Sequence, residues 1–489
     1  MPEISRALSV FFARPSRRLG AGLLAGWLAL TPVLALRADE LPDLGDDSRS
    51  ELSPLMEKRL GQQIMNEIRL KEPSYLDDPE VEAYLNQIGG KLVAASNDPG
   101  YGFTFFAISD NSINAFAMFG GYIGVNTGLL LNAQNESELA GVLSHEISHV
   151  TQRHLARQVT QEKRVSMASM LAMAVGLLAA RSNANVATAA IASASAGSIQ
   201  SQLSFSRDYE READRFGFET MKRAGMDVRG MSGFFQRLQR ATRVYENNAP
   251  VYLRSHPITL ERISDMQNRE TDERYRQVPD SLEFQLVRAK LRAMNGTPLE
   301  AVQDLGLVVS DGKFLAAGPA HYGLAVALAR KKDWSGAETQ LNLARQKKVI
   351  SPMLDRLAGQ TRIELGDVQA GLGLLRDALN RYPFSAALRY SYADNLLEHQ
   401  QAETAQRFLE NQLPLYPQDQ RLRSQLARAY ADQGRRAAQH SMLAELYSLR
   451  GETGAAIEQL QFAQRSGDAN FYELSVIDAR LRELRQRLA

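Results

Sequence analysis

The sequence predicts a mainly α chain in two parts: a helical domain carrying one small β-sheet, then an α-solenoid of paired helices. Three observations predict this. Apolar residues recur at helical spacing through most of the first half. One short stretch, Phe103 to Ile108, is instead aromatic and β-branched, the composition of a strand. After about residue 280, small and large apolar residues recur with a period of 34. A chain of 489 residues is also too long for one hydrophobic core. The expected division is a leader over 1–38, a first domain over 39–275 and a repeat domain over 276–489.

The leader is read from charge and hydropathy. Arg6, Arg14, Arg17 and Arg18 precede an apolar run from Leu19 to Leu36, and small residues at Ala35 and Ala38 suit cleavage. That is the form of a secretory signal peptide; an uncleaved anchor is the alternative. Residues 39–53 are acidic and turn-rich. With 7 histidines, no cysteine and a net charge of +1, the composition excludes disulfides, thiolate metal ligands and a cysteine nucleophile. It gives no basic surplus to hold nucleic acid.

Helices are expected over Pro54–Leu70 and Pro79–Ser96, the second opened by Asp77-Asp78-Pro79. The glycines of the stretch Asn114 to Leu130 suggest a hairpin, or a strand whose backbone is closely approached. Residues 136–157 read as one helix, with Asn135 or Asn132 as its cap. Ser166 to Ser201 reads as two Ala-rich helices or as a Met-rich flap, and no window there is apolar enough to span a membrane. Further helices follow over 205–224 and 228–245. Pro257 then fixes His256 on a turn.

The predicted helix 136–157 carries His145-Glu146-Ile147-Ser148-His149. At 3.6 residues per turn, His145 and His149 stand one turn apart on one face. Two imidazoles so placed can reach one zinc ion, and Glu146 can reach a water beside it as general base. Two protein ligands are one short of a catalytic zinc site. Glu210-Arg211-Glu212-Ala213-Asp214 offers a third carboxylate. Helical spacing places Glu210 and Asp214 on one face and Glu212 elsewhere, and does not choose between the two glutamates. His154, five residues past His149, reads as a solvent or packing histidine.

H-E-x-x-H followed some 65 residues later by E-x-x-A-D resembles the M48 family of zinc metallopeptidases. So do N-A-F-A-x-x-G-G-Y-I-x-V-x-T-G-L-L from Asn114 and S-H-P from Ser255, with E-R-I behind it. The resemblance implies a zincin-like fold, one Zn2+ per chain held by His145, His149 and Glu210, and Glu146 as the base. It implies a positioning or proton-donor role for Asp214. His256 is expected as a fourth ligand that displaces water and keeps the resting site closed. Residues Asn114, Ala115, Phe116 and Ala117 are expected as an edge strand that pairs with an extended substrate.

The 34-residue period resembles the tetratricopeptide repeat. Gly296, Gly366 and Gly434 fall at turns, with small residues Ala301, Ala337, Gly371 and Ala405 in the second helices. About four repeats and a C-terminal helix are expected, with the register after Arg435 left open. Taken over the whole chain, the resemblance implies a periplasmic endopeptidase of this family, associated peripherally with the outer membrane. Its expected substrates are unfolded or misassembled outer-membrane proteins, and its repeats are expected to dock on the barrel-assembly machinery. The second reading is a chaperone or adaptor that works chiefly through the repeats.

Overall fold

The computed structural model describes residues 52–161, 206–244 and 251–488. The expected leader over 1–38 and the Ala- and Met-rich segment over 166–201 lie outside them. Among the described residues no helix is long and apolar enough to cross a membrane.

Helix α1 (Pro54–Lys71) starts where Ser53 accepts from the Met56 N–H, and α2 (Pro79–Ala94) where Asp78 accepts from Glu80 and Val81. Both place proline in the first turn, where its missing N–H costs nothing. Three strands make one sheet: β1 (Thr104–Ile108), β2 (Ala115–Ala117) and β3 (Tyr122–Asn126), in the order β1-β3-β2. β1 runs parallel to β3, with Phe106 opposite Gly124, and β2 runs antiparallel, with Phe116 opposite the same glycine. The hairpin turn uses Gly120 and Gly121 at φ of 75° and 82°, a region open to glycine. A Cβ at Gly124 would fall 2.3 Å from the Phe116 ring, so the glycine makes room for that aromatic face.

After α3 (Thr127–Asn132), the helix expected over 136–157 is two helices, α4 (Glu136–Thr151) and α5 (His154–Gln161). Arg153 between them has φ of 53°, a left-handed residue that stops one helix and re-aims the next. Three longer helices follow, α6 (Arg207–Arg223), α7 (Arg229–Val244) and α9 (Leu260–Thr271), with short α8 (Val251–Ser255) before the last. At Gly217 of α6 a Cβ would lie 3.2 Å from the His145 backbone nitrogen. That glycine lets α6 approach α4 closely enough to share a site.

Twelve helices from Leu282 to Leu488 form six successive pairs, two more than the four-repeat expectation. They are α10 (Leu282–Met294) with α11 (Pro298–Ser310), α12 (Ala317–Arg330) with α13 (Trp334–Gln346), and α14 (Pro352–Glu364) with α15 (Val368–Arg381). Then come α16 (Ala386–Glu398) with α17 (Ala402–Gln412), α18 (Gln420–Asp432) with α19 (Arg436–Leu449), and α20 (Thr453–Arg465) with α21 (Phe471–Leu488). The turn inside each pair holds one left-handed residue: Gly296, Lys332, Gly366, Gln400, Gly434 and Gly467. The small-then-large pattern is buried at Ala337 and Leu341, Gly371 and Leu375, and Ala405 and Leu409. This is a tetratricopeptide-like solenoid whose period continues past Arg435.

One hydrophobic core runs from Val81, Phe105 and Ile147 through Phe284 and Tyr322 to Ala358. It therefore crosses the predicted boundary at 275. Polar contacts follow it. The Glu136 side chain at the start of α4 accepts from the Ser281 N–H at 2.9 Å and from Tyr84 Oη at 3.0 Å. Buried Glu80 meets Lys290 Nζ at 2.5 Å and the Arg356 guanidinium, and Lys290 also meets Asp78. A second core begins at Ile363, on the same helix as Ala358.

Candidate metal centre

α4 is buried on nearly every side, with Val142, Leu143 and Ile147 in the core. His145, Glu146 and His149 are all at most 1% exposed. His145 Nε2 and His149 Nε2 lie 3.0 Å apart. α6 brings Glu210 against both: Oε2 is 3.4 Å from His145 Nε2, and Oε1 is 3.5 Å from His149 Nε2. From the turn after α8, His256 Nδ1 lies 3.3 Å from His145 Nε2 and 2.9 Å from Glu210 Oε1. The four donors sit within 4.8 Å of one another.

These separations fit one cation. Four atoms at roughly 2.0–2.1 Å from a tetrahedral centre are about 3.4 Å apart. Nitrogens and a carboxylate converging without apolar filler are otherwise costly to bury. Glu210 Oε2 and Glu146 Oε1 have no hydrogen-bond partner, though Arg262 Nη1 stands 2.8 Å from Glu210 Oε2 as an ion pair.

Protonation follows the surroundings. Burial drives His149 well below the ordinary imidazole value, leaving a neutral ring able to offer a lone pair. His145 is buried too, but Asp214 and Glu210 outweigh that and hold it up at about 9. A cation there would compete with that proton, so binding would release it. Burial raises the Glu146 carboxyl, opposed by His256 and His145, and leaves it above the ordinary carboxylate value. A base moved toward neutral pH is better matched to proton transfer.

Glu146 has two further contacts. Its Oε2 accepts from the Ala117 N–H at 3.1 Å, and its Oε1 lies 3.5 Å from His256 Nε2. The Ala117 contact locates the predicted edge strand. Just outside the two ends of β2, Asn114 O accepts from the Asn126 N–H and Met118 N donates to Tyr122 O. Alternation along an antiparallel ladder then turns the backbone of Ala115 and Ala117 away from β3. Phe116 packs at the opposite register, edge-on to Phe106.

Asp214, expected as a positioning group or second proton donor, stands behind His145. Its Oδ1 is 3.0 Å from His145 Nδ1, and Arg262 grips both its oxygens at 2.6 and 2.7 Å. Burial raises this carboxyl, but Arg262 outweighs burial and keeps it below its ordinary value. A carboxylate held in this way suits orienting the ring.

Arg262 and Tyr252 were not among the expected site residues, and Glu212 stood only as the alternative to Glu210. Arg262 bridges Glu210 and Asp214, and Tyr252 stacks on the His256 ring at 4.7 Å. For Arg262 a signal was present: it is the arginine of E-R-I, beside Ile263 and Met266 on the buried side of α9. His154 is buried as a packing histidine, but the break at Arg153 returns it to His149, Nδ1 to Nδ1 at 2.9 Å. Burial pushes it down to about 4.

Comparison with known proteins identifies the family. Residues 79–270 match peptidase family M48. The beta-barrel assembly-enhancing protease of Yersinia pestis is 31% identical over 458 residues, 92% of each chain. A Vibrio cholerae relative is 42% identical over 254 residues, so that match spans about half the length of each chain, 52%. The solved structure of YrrB, a TPR protein, is similar over 37% of this chain and 92% of its own, at 15% identity and a TM-score of 0.28. With the Yersinia match running nearly end to end over a helix that carries H-E-x-x-H, the chain belongs to the M48 metallopeptidases.

Proposed function

We propose that the chain is a zinc-dependent endopeptidase of the periplasm that degrades misassembled outer-membrane β-barrel proteins and assists their assembly. The observation that carries the catalytic part is the buried convergence of His145, His149, Glu210 and His256 beside Glu146. The cellular part rests on the relative's role in barrel assembly, on the signal-like leader and on the repeats as a docking scaffold.

In this reading His145, His149 and Glu210 hold zinc. The bound ion supplies Lewis acidity, polarising the scissile carbonyl and making water acidic enough to lose a proton near neutral pH. Glu146 takes that proton at Oε1 as the water oxygen attacks the carbonyl carbon. It then delivers the proton to the amide nitrogen as the C–N bond breaks. With the Ala117 N–H held by Glu146, the outward backbone of Ala115 and the Ala117 carbonyl pair with the extended substrate, which recognises unfolded chain with little regard to sequence. Asp214 and Arg262 keep the His145 ring and Glu210 in place.

His256 is the brake. As a fourth ligand it fills the position that substrate and water need, and through Nε2 it lies close to the base. Opening requires α8 and its turn to move.

The test is digestion of unfolded outer-membrane proteins by the wild type and by Glu146→Gln. The variant should bind zinc with near-normal stoichiometry and lose proteolysis. Wild-type turnover in the variant would overturn the mechanism and leave the adaptor role.

A further inference from the structure

α6 reaches the metal centre from two faces. Glu210 enters it directly. Glu212, two residues on, points the other way and meets His154 Nε2 at 3.1 Å through Oε2. His154 is fully buried, its ring stacked on Tyr209 at 4.5 Å with planes 10° apart. Its other nitrogen faces His149 Nδ1 at 2.9 Å. Arg157 pins the far end, with Nη1 3.0 Å from the same Glu212 oxygen.

Only one proton fits between two ring nitrogens at that distance. If His149 offers its Nε2 lone pair to a metal, its Nδ1 carries hydrogen and donates to His154 Nδ1. His154 must then carry its own hydrogen on Nε2, and that hydrogen needs an acceptor. The Glu212 carboxylate is that acceptor. The partners at the two ends thus select the tautomer of both rings. His145 has a direct carboxylate behind it in Asp214; His149 has one at the end of a second imidazole.

We propose that His154 and Glu212 are positioning residues of the metal centre: a Glu212–His154–His149 chain fixes the His149 tautomer and aims its Nε2 at the metal. The proposal rests on reading the centre as a zinc site. The left-handed Arg153, which ends α4 and starts α5 at His154, is what makes the chain geometrically available.

The experiment uses the full chain and two readouts independent of turnover. These are zinc affinity by competition with a chelator and the visible ligand-field spectrum of the cobalt-substituted protein. Glu212→Ala and His154→Phe should each weaken zinc by about 10–100-fold and alter the cobalt spectrum. Glu212→Gln, which still accepts from His154 through its amide oxygen, should restore most of the affinity. Glu212 is partly exposed, so its variants test the chain even if His154→Phe folds poorly. Zinc affinity and cobalt spectra within about twofold of wild type in the Glu212→Ala protein would overturn the chain while leaving the zinc site standing. A wild-type protein that takes up no zinc would overturn both. Equal loss in Glu212→Ala and Glu212→Gln would also count against it, since the accepting oxygen would then be irrelevant.

Discussion

Arg262 is a buried cation that joins two carboxylates of the site. Its guanidinium is buried and divided between Asp214 and Glu210. Removing one partner of a buried charged set leaves the others uncompensated, typically at about 3–5 kcal/mol. Arg262→Met should therefore lower the melting temperature of the metal-free protein markedly, and zinc should recover part of the loss. Arg262→Lys keeps the charge but not the two-pronged grip, so calorimetry should place it between wild type and Met. At His256 the expectation runs the other way. His256→Ala should raise basal cleavage of an unfolded substrate while zinc, measured by metal analysis, stays bound; a fall in cleavage would reassign His256 to substrate contact. At this scale the pair His145 and His149 was legible because helical spacing is local. The choice of Glu210 over Glu212 was not, because two carboxylates two residues apart differ only in which face meets α4, and that is set by the approach at Gly217. His154, expected as a solvent or packing histidine, is buried, but its contact with His149 was not legible for a similar reason: an arginine gives no cue that it will adopt a positive φ.

At the level of elements, the turns of the solenoid carry their own test. The left-handed positions 332, 366, 400 and 434 repeat every 34 residues, yet only two of these four are glycine. A side chain in that region costs on the order of 1 kcal/mol, partly offset by the larger entropy glycine loses on folding. Gln400→Gly should stabilise the chain by about 0.5–1 kcal/mol, and Gly434→Ala should destabilise it by a similar amount, both read from denaturant midpoints. The approach of α6 to α4 makes a sharper case. Gly217→Val would put a branched side chain where one Cβ already comes within 3.2 Å of the His145 backbone, so zinc affinity should fall by tenfold or more. The periodicity that identified the repeats also predicted their buried small residues correctly. It stopped at Arg435 because Gly451, the next turn glycine, lies between pairs and not inside one.

Across the whole molecule, the seam predicted at residue 275 marks a change of pattern but not of core. A chain ending there would expose the sockets of Phe284 and Tyr322 and leave Glu80 buried without Lys290 and Arg356. Such a truncation should be insoluble or melt far below the full chain, whereas one ending at 381 should stay folded. Acid should act on the same clamp. Burial raises the Glu80 carboxyl, but Arg356 and Lys290 outweigh it and take it from 4.5 down to about 2. A depressed carboxylate stabilises fully above its unfolded value and loses that contribution as pH falls from about 4.5 to 2. The loss is about 3 kcal/mol for a shift of that size, and melting curves across that range should show it shrink in Arg356→Met. No periodicity could have announced this clamp, because an amphipathic pattern tells which face is buried but not against what. The single helix α14 carries the last residues of one core and the first of the next, Ala358 and Ile363. That has a consequence for descent. Contact with the catalytic half nevertheless runs on past α14: Arg421 of α18 stands 3.9 Å from Asp77, and the Asn66 side chain donates to the Arg450 carbonyl after α19 at 3.4 Å. Recombination can exchange the last pair, α20 and α21, and so offer a new surface to a partner. The ten helices from α10 to α19 must instead be inherited with the catalytic half, changing only as fast as the surface they are moulded on.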